Sequence, residues 1–136
     1  MPHLPFCSTF KYFGRKKTSM KIQKIKELLE ADVLCGEENL DGEVKSACGC
    51  DMMSDVLAFV KDQAVLLTGL CNPQVVRTAM MMDMRCIVFV RGKIPSDDVV
   101  ALARDAGIVV MTSKIRMYVA CGILYGEGLH GGELGG

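Results

Sequence analysis

Ala64 to Ser113 constrains this chain more than any other stretch, because three apolar runs alternate there with two amphipathic segments. The runs are AVLLTGL (Ala64–Leu70), CIVFVRG (Cys86–Gly92) and IVVMTS (Ile108–Ser113), and each carries a glycine or small polar residue at or next to its end. Between them lie NPQVVRTAMMMDM (Asn72–Met84) and PSDDVVALARDAG (Pro95–Gly107), which carry apolar residues at helical spacing. Strands that are apolar on both faces and separated by helices imply a parallel sheet covered on each side. The expected fold class is therefore α/β: a single domain, mainly parallel sheet, with helices on both faces. Ligands of such sheets gather at the carboxyl ends of the strands. The pattern points to a place for function but shows no reaction.

The flanking segments extend this plan. Ser19 is positioned to cap a helix over Met20–Ala31, with Ile22, Ile25, Leu28 and Leu29 on one face. A strand at Asp32–Gly36, a turn-rich loop and a strand around Val44–Cys50 follow. Asp51 is placed to cap a helix over Met52–Lys61 that buries Met53, Val56, Leu57 and Val60. Asn72-Pro73 and Ser96 mark the starts of the next two helices. Ser113 is placed to cap a last helix from Lys114 to about Tyr125, with an apolar stripe of Ile115, Tyr118, Val119, Gly122 and Ile123.

Three regions are expected: an arm at 1–19, disordered or foreign to the natural chain, an α/β domain at 20–129, and a flexible glycine-rich tail at 130–136. The arm carries Lys11, Arg15, Lys16 and Lys17 and no acid, whereas the remaining 117 residues carry 12 basic and 16 acidic side chains. A body with net charge −4 argues against nucleic acid as a partner. No apolar run approaches the roughly 20 residues that span a bilayer. The arm lacks the continuous apolar segment of a signal peptide. Seven cysteines, an odd number, fit free thiols in a reducing cytoplasm better than a disulfide framework.

Thr68, Gly69 and Asn72 follow the first strand of the block, Arg91, Gly92 and Lys93 the second, and Thr112 and Ser113 the third. Glycines permit close backbone approach, helix amino termini offer free amides to anions, and two cations add charge. This rim is the expected ligand site, for a nucleotide or phosphorylated metabolite, although the same residues also serve as ordinary turns and caps. A phosphate loop is absent: the one Gly-Lys, Gly92-Lys93, is followed by Ile94. Gly126, Gly128 and Gly131 match the letters of a dinucleotide fingerprint but follow a helix instead of a strand. No nucleophile has a histidine and an acid that must lie near it, so the chain reads as non-catalytic, and no cofactor or bound metal is called for. Cys48 and Cys50, with Cys35 or Cys71, leave a metal or redox role open. Asp51 and Asp55 leave open a cation, against capping and solvation. The run Met80–Met82 is either core plus neighbouring surface or a self-association face.

In order and wording these segments resemble the DRTGG domain family, in particular small stand-alone members related to the amino-terminal domain of HPr kinase/phosphorylase. The resemblance covers about residues 20–129. It rests on VLCG (Val33–Gly36), DMMSDVLAFVK (Asp51–Lys61), LLTGLCNPQVVRTA (Leu66–Ala79) and IVFVRGKIPSDDVVALARDAGIVVMTS (Ile87–Ser113). The family's name-giving letters differ here: Leu70-Cys71 stands where the family has Asp-Arg, and Val90-Arg91-Gly92 where it has Thr-Gly-Gly. The resemblance implies a regulatory or dimerising module, since such domains occur fused to phosphotransacetylases, CBS-containing pyrophosphatases and HPr kinases. The kinase's phosphate loop lies in a different domain. The expected function is ligand sensing as a homodimer. The alternative is a structural docking or accessory subunit of a redox enzyme complex.

Overall fold

The computed structural model describes residues 19–60 and 63–131. The expected arm therefore lies outside the described residues except for Ser19, whose hydroxyl donates to Glu43 Oε1 at 2.9 Å.

In chain order the elements are β1 (Met20–Lys21), α1 (Ile22–Leu28), β2 (Asp32–Cys35), a 3₁₀ turn (Glu37–Asn39), β3 (Glu43–Val44), β4 (Ser46–Gly49), α2 (Met53–Phe59), β5 (Ala64–Thr68), α3 (Pro73–Met81), β6 (Cys86–Phe89), α4 (Asp97–Asp105), β7 (Val109–Thr112) and α5 (Met117–Gly126). Five strands form one sheet in the order β2-β7-β6-β5-β4, parallel except for β2, which runs antiparallel to β7. β1 and β3 form a separate antiparallel pair.

The alternation along the strands decides the layering. Val65, Leu67, Cys86, Val88, Val109 and Met111 face one core with Ile22, Ile25, Leu29, Ala120 and Leu124 from α1 and α5. Leu66, Ile87, Phe89, Ile108 and Val110 face the other core, with Met53, Val56, Val75, Val76, Ala79, Val99 and Ala103 from α2, α3 and α4. Helices thus cover both faces, as the continuous apolar strands require. Every crossover from β4 to β7 steps to the adjacent strand in the same direction. A single handedness then lays α2, α3 and α4 on one face.

Element ends differ from the sequence reading in places. Met20–Lys21 pairs with Glu43–Val44 instead of opening the first helix. The expected strand over 44–50 is broken at Lys45 into β3 and β4. None of the expected capping side chains (Ser19, Asp51, Asn72, Ser96 and Ser113) makes a helix-cap hydrogen bond: among the described residues no helix shows one, and α2 and α5 take Met52 and Arg116 at the N-cap position. On α2, Met53 and Val56 are buried but Leu57 is exposed. On α5, Ala120 and Leu124 are the buried residues, whereas Tyr118, Val119 and Gly122 face outward. Met80 and Met81 are exposed, and Met82 packs partly against the second core.

Four helices end in one way. Glu30, Asp83, Gly107 and Gly128 adopt positive φ one residue past the cap. The next amide returns to the carbonyl five residues earlier: Ala31 to Lys26, Met84 to Ala79, Ile108 to Ala103 and Leu129 to Leu124. This is the Schellman arrangement, in which an apolar residue after the left-handed position folds back onto the helix. Ala31, Met84, Ile108 and Leu129 are all buried. Two of the four left-handed positions hold residues with a Cβ, at a cost of about 1–2 kcal/mol each. We predict that Glu30→Gly raises stability by about 1 kcal/mol. Gly107→Ala, whose Cβ would meet nothing within 4 Å, should lower it by about as much. Urea midpoints at unchanged m-value measure both, and a neutral Gly107→Ala would refute the backbone explanation.

Candidate functional site

The carboxyl ends of β4, β5, β6 and β7 come to one edge of the sheet. Thr68, the last residue of β5, is fully buried. Its hydroxyl donates to Asp51 Oδ1 at 2.8 Å, and the Gly69 amide donates to the same oxygen at 2.8 Å. The Thr68 hydroxyl also accepts from the Leu70 amide at 3.1 Å. Asp51 therefore fastens the turn after β5 to the end of β4 rather than capping α2. The bond from the Gly69 amide, with help from the Thr68 hydroxyl and the Arg91 charge, outweighs desolvation and holds this carboxyl below its ordinary range.

Arg91 and Gly92 both have positive φ, 61° and 70°, and the Lys93 amide closes the turn onto the Val90 carbonyl at 3.2 Å. Two successive left-handed residues are the pattern of a type I′ turn, in which glycine is at ease and arginine is not. The turn lays the Arg91 guanidinium over Gly69. A Cβ on Gly69 would strike the guanidinium, with Nε at 3.1 Å and Cζ at 3.2 Å. The glycine is needed for this close approach. Arg91, Gly92, Lys93 and Asn72 are exposed, so the rim is a shelf open to solvent. The Cys71 thiol donates to the Gly69 carbonyl at 3.7 Å. Burial raises its pKa, Lys93 and Arg91 oppose that rise, and Asp51 adds to it. Asp51, Thr68, Gly69, Cys71, Arg91 and Lys93 thus share one electrostatic neighbourhood.

The third strand end is drawn in structurally. Thr112 Oγ1 donates to the Lys93 carbonyl at 2.7 Å, and buried Ser113 Oγ donates to the Leu29 carbonyl at 2.7 Å. The Gly92 amide bonds the Ser113 carbonyl at 2.8 Å, and the Arg91 amide bonds the Ile115 carbonyl at 2.9 Å. The connections leaving β6 and β7 go to opposite faces, which in an open α/β sheet creates a crevice. Here these four bonds fill it. Thr112 and Ser113 brace the shelf, while Arg91 and Lys93 line it. Sequence reasoning placed the three strand ends together and read Asp51 as a cap or, with Asp55, a cation ligand, but not as the carboxylate that fastens the turn after β5. Its position after a strand and before a helix reads equally as a cap, and nothing local distinguishes the two uses.

Two clefts lie away from the shelf. One of about 430 Å³ is lined by Ile22, Glu38, Asn39, Asp41, Gly42, Arg85 and Gly107, beside the amino ends of β6 and β7. The other, about 660 Å³, runs along the outer face of α5. The shelf is the candidate site because its side chains converge from the ends of four strands, whereas the second cleft is one helix face and the first is flanked by exposed loop residues.

Cys48, Cys50 and Cys121 are neighbours, but they form no metal-binding group. Among the described residues no group of three or more His, Cys, Asp or Glu is arranged to hold a metal ion. The Cys48 thiol is pushed up to about 11 by burial, with Cys50, Cys121 and Asp55 adding to the effect. Cys50 Sγ donates to the Met52 carbonyl at 3.4 Å and accepts from the Met52 amide at 3.3 Å. Cys86 is buried, and its thiol is pushed far up. Among the described residues no helix is long and apolar enough to cross a membrane.

A sheet with helices on both faces, carrying these segments in this order, defines a small α/β domain. The DRTGG domain family matches residues 24–124, and the chain belongs to that family. Among solved structures, the chain is similar to the CBS and DRTGG domains of the regulatory region of Clostridium perfringens pyrophosphatase, crystallised with its activator, diadenosine tetraphosphate. That similarity has a TM-score of 0.65 at 16% sequence identity and covers 81% of this chain and 47% of that one. The chain thus spans about half of that region, and at this identity the likeness shows the fold. No curated protein matches the chain significantly.

The fastening role of Asp51 gives a prediction with a defined sign. A carboxyl whose folded pKa is depressed stabilises the fold above its unfolded pKa, and that contribution is lost as pH falls through the folded value. Wild type should therefore exceed Asp51→Asn in stability at about pH 6, with the gap closing below about pH 4. Asp51→Ala should cost about 1–3 kcal/mol, because the buried Thr68 hydroxyl loses its acceptor. Urea titrations across pH measure both. A gap between wild type and Asp51→Asn that does not change with pH would show that the charge is not what fastens the turn.

Proposed function

We propose that this chain is a non-catalytic regulatory module that senses a nucleotide or phosphorylated metabolite on the shelf and acts as a homodimer. The observation that carries the reading is Arg91. The chain holds an arginine in a left-handed conformation, where glycine costs less, and lays its guanidinium across a glycine that leaves room for it. Glu30 and Asp83 are left-handed because they end helices, whereas Arg91 ends none, and strain of that kind at an exposed charged residue is found at ligand clamps. A guanidinium and the Lys93 ammonium suit phosphate oxygens. The Asp51 carboxylate beside them suits a hydroxyl donor of a sugar. Cations and one carboxylate together favour a nucleotide over bare phosphate. Gly69, Asn72 and Gly92 give the backbone close access, and Thr68, Thr112 and Ser113 hold the turns that present these groups.

The regulatory region of the pyrophosphatase, bound to a dinucleoside polyphosphate, supports a regulatory role for the fold. That region also contains CBS domains, so the support is for the role and not for the binding residues. Exposed Met80 and Met81 favour a second reading, a docking subunit of an enzyme complex. A flat ligand panel with stable co-purification of an enzyme would select it.

The test is a thermal-shift panel of adenine and guanine nucleotides, dinucleoside polyphosphates and phosphorylated metabolites. Ligand at about 100 times its Kd should raise Tm by roughly 5–15 °C. Arg91→Gly should abolish the shift while leaving the unliganded Tm equal or higher, because glycine relieves the left-handed strain. Gly69→Ala, which displaces the guanidinium, should weaken the shift without unfolding the domain. A ligand that shifts wild type and Arg91→Gly equally would remove the shelf from consideration.

A further inference from the structure

We infer that α5 is the face through which two copies of this chain pair, antiparallel, about a two-fold axis passing beside Gly122. This rests on the homodimer part of the reading above and not on its ligand part.

A helix that is apolar all round belongs in an interior. From Met117 to Gly126 the sequence MYVACGILYG has no charged residue. One side, with Ala120 and Leu124, is buried against the sheet. The other is not: Tyr118 is 89% exposed, Val119 51% and Tyr125 54%. These three, with Gly122 and Gly126, form one continuous face along the apolar cleft of about 660 Å³. Contiguous apolar surface of this kind on a folded domain marks an interaction site.

The occupant follows from the order of sizes and charges. A two-fold interface must be complementary to itself, with residue i meeting j and j meeting i. Gly122 lies midway along the exposed face. An antiparallel copy centred there sets Tyr118 of each chain over Gly126 of the other, and Val119 over Tyr125. Tyr118 then meets a glycine and Tyr125 the smaller Val119, and the two Gly122 positions, where a Cβ would meet nothing within 4 Å, let the helices approach closely. The Tyr125 ring is already positioned by stacking on His130, with centroids 4.2 Å apart and planes at 22°. The charges agree with this direction. Lys114 and Arg116 flank the amino end of the helix and Glu127 flanks the carboxyl end, and all three are exposed. Antiparallel pairing sets unlike ends together and opposes the helix dipoles favourably, whereas parallel pairing sets like ends together. A face without charge along its length offers no steering to an unlike, charged partner, and homodimer interfaces are the more apolar class.

The experiment is light scattering and sedimentation equilibrium on the full chain. Wild type should be a dimer. Gly122→Lys places two ammonium groups at the axis and should give a monomer whose Tm is no lower than that of the dissociated wild type, because the side chain points into open space and lysine favours helix more than glycine does. Arg116→Glu and Glu127→Arg should each raise the dimer Kd about tenfold, since each affects two symmetry-related ends. The double variant R116E/E127R should restore wild-type affinity. A monomeric wild type overturns both this inference and the homodimer reading, and leaves the ligand reading to its own test. A dimer that survives Gly122→Lys overturns this inference alone. Failure of the double variant to recover overturns the antiparallel arrangement.

Discussion

A sheet that is apolar on both faces must be covered on both, and this requirement organises the chain. Three crossovers moving in one direction deliver α2, α3 and α4 to a single face. They leave the opposite face bare. Only the elements before β2 and after β7 remain to cover it, and α1 and α5 do so from the two ends of the domain. β2, which follows α1, completes the sheet at the edge beyond β7 and runs antiparallel to it. Contacts between residues distant in sequence close the domain: Ser113 to Leu29, and the Ala47 amide to the His130 carbonyl at 2.9 Å.

The parallel block was legible because its signal is redundant. Apolar runs of strand length, helical spacing between them and glycine or small polar closures all agree. The last helix was legible as a helix but not by face. Where every residue from Met117 to Gly126 is apolar, small or aromatic, periodicity carries no direction, and the stripe containing Tyr118 and Val119 was no better marked than the one containing Ala120 and Leu124. The pairing of Met20–Lys21 with Glu43–Val44 was illegible for a different reason. Two-residue strands have no period, and their partner lies more than twenty residues away. Glu30 and Asp83 show the same limit at helix ends: the left-handed position is imposed by burial of the next residue, Ala31 or Met84, and not by glycine at the position itself.

The candidate site was half legible. That Thr68-Gly69, Arg91–Lys93 and Thr112-Ser113 share an edge follows from parallel pairing alone. That Thr112 and Ser113 turn their hydroxyls inward, to the Lys93 and Leu29 carbonyls, depends on which loop fills the crevice between β6 and β7. Loop–loop packing of that kind is a three-dimensional result with no local signature. Asp51 was misplaced for the same reason: its oxygen is taken by β5, seventeen residues on, before α2 can use it.

The turn at Arg91 links the shelf to the segment that leads into α5. Its side chain lies over Gly69, and its amide bonds the Ile115 carbonyl, two residues before the first turn of α5. The neighbouring Gly92 amide bonds the Ser113 carbonyl, and the Ser113 hydroxyl in turn holds the end of α1. The left-handed conformation costs Arg91 about 1–2 kcal/mol of backbone strain. If Arg91 moves to meet a ligand, the first bond in its path is the one to Ile115. Any such movement therefore acts on the amino end of α5, where Arg116 and Tyr118 begin the exposed face. Coupling between two sites needs an element with two arrangements that both sites bias. In this fold the Val90–Lys93 turn carries Arg91 of the shelf and bonds Ile115, just before α5.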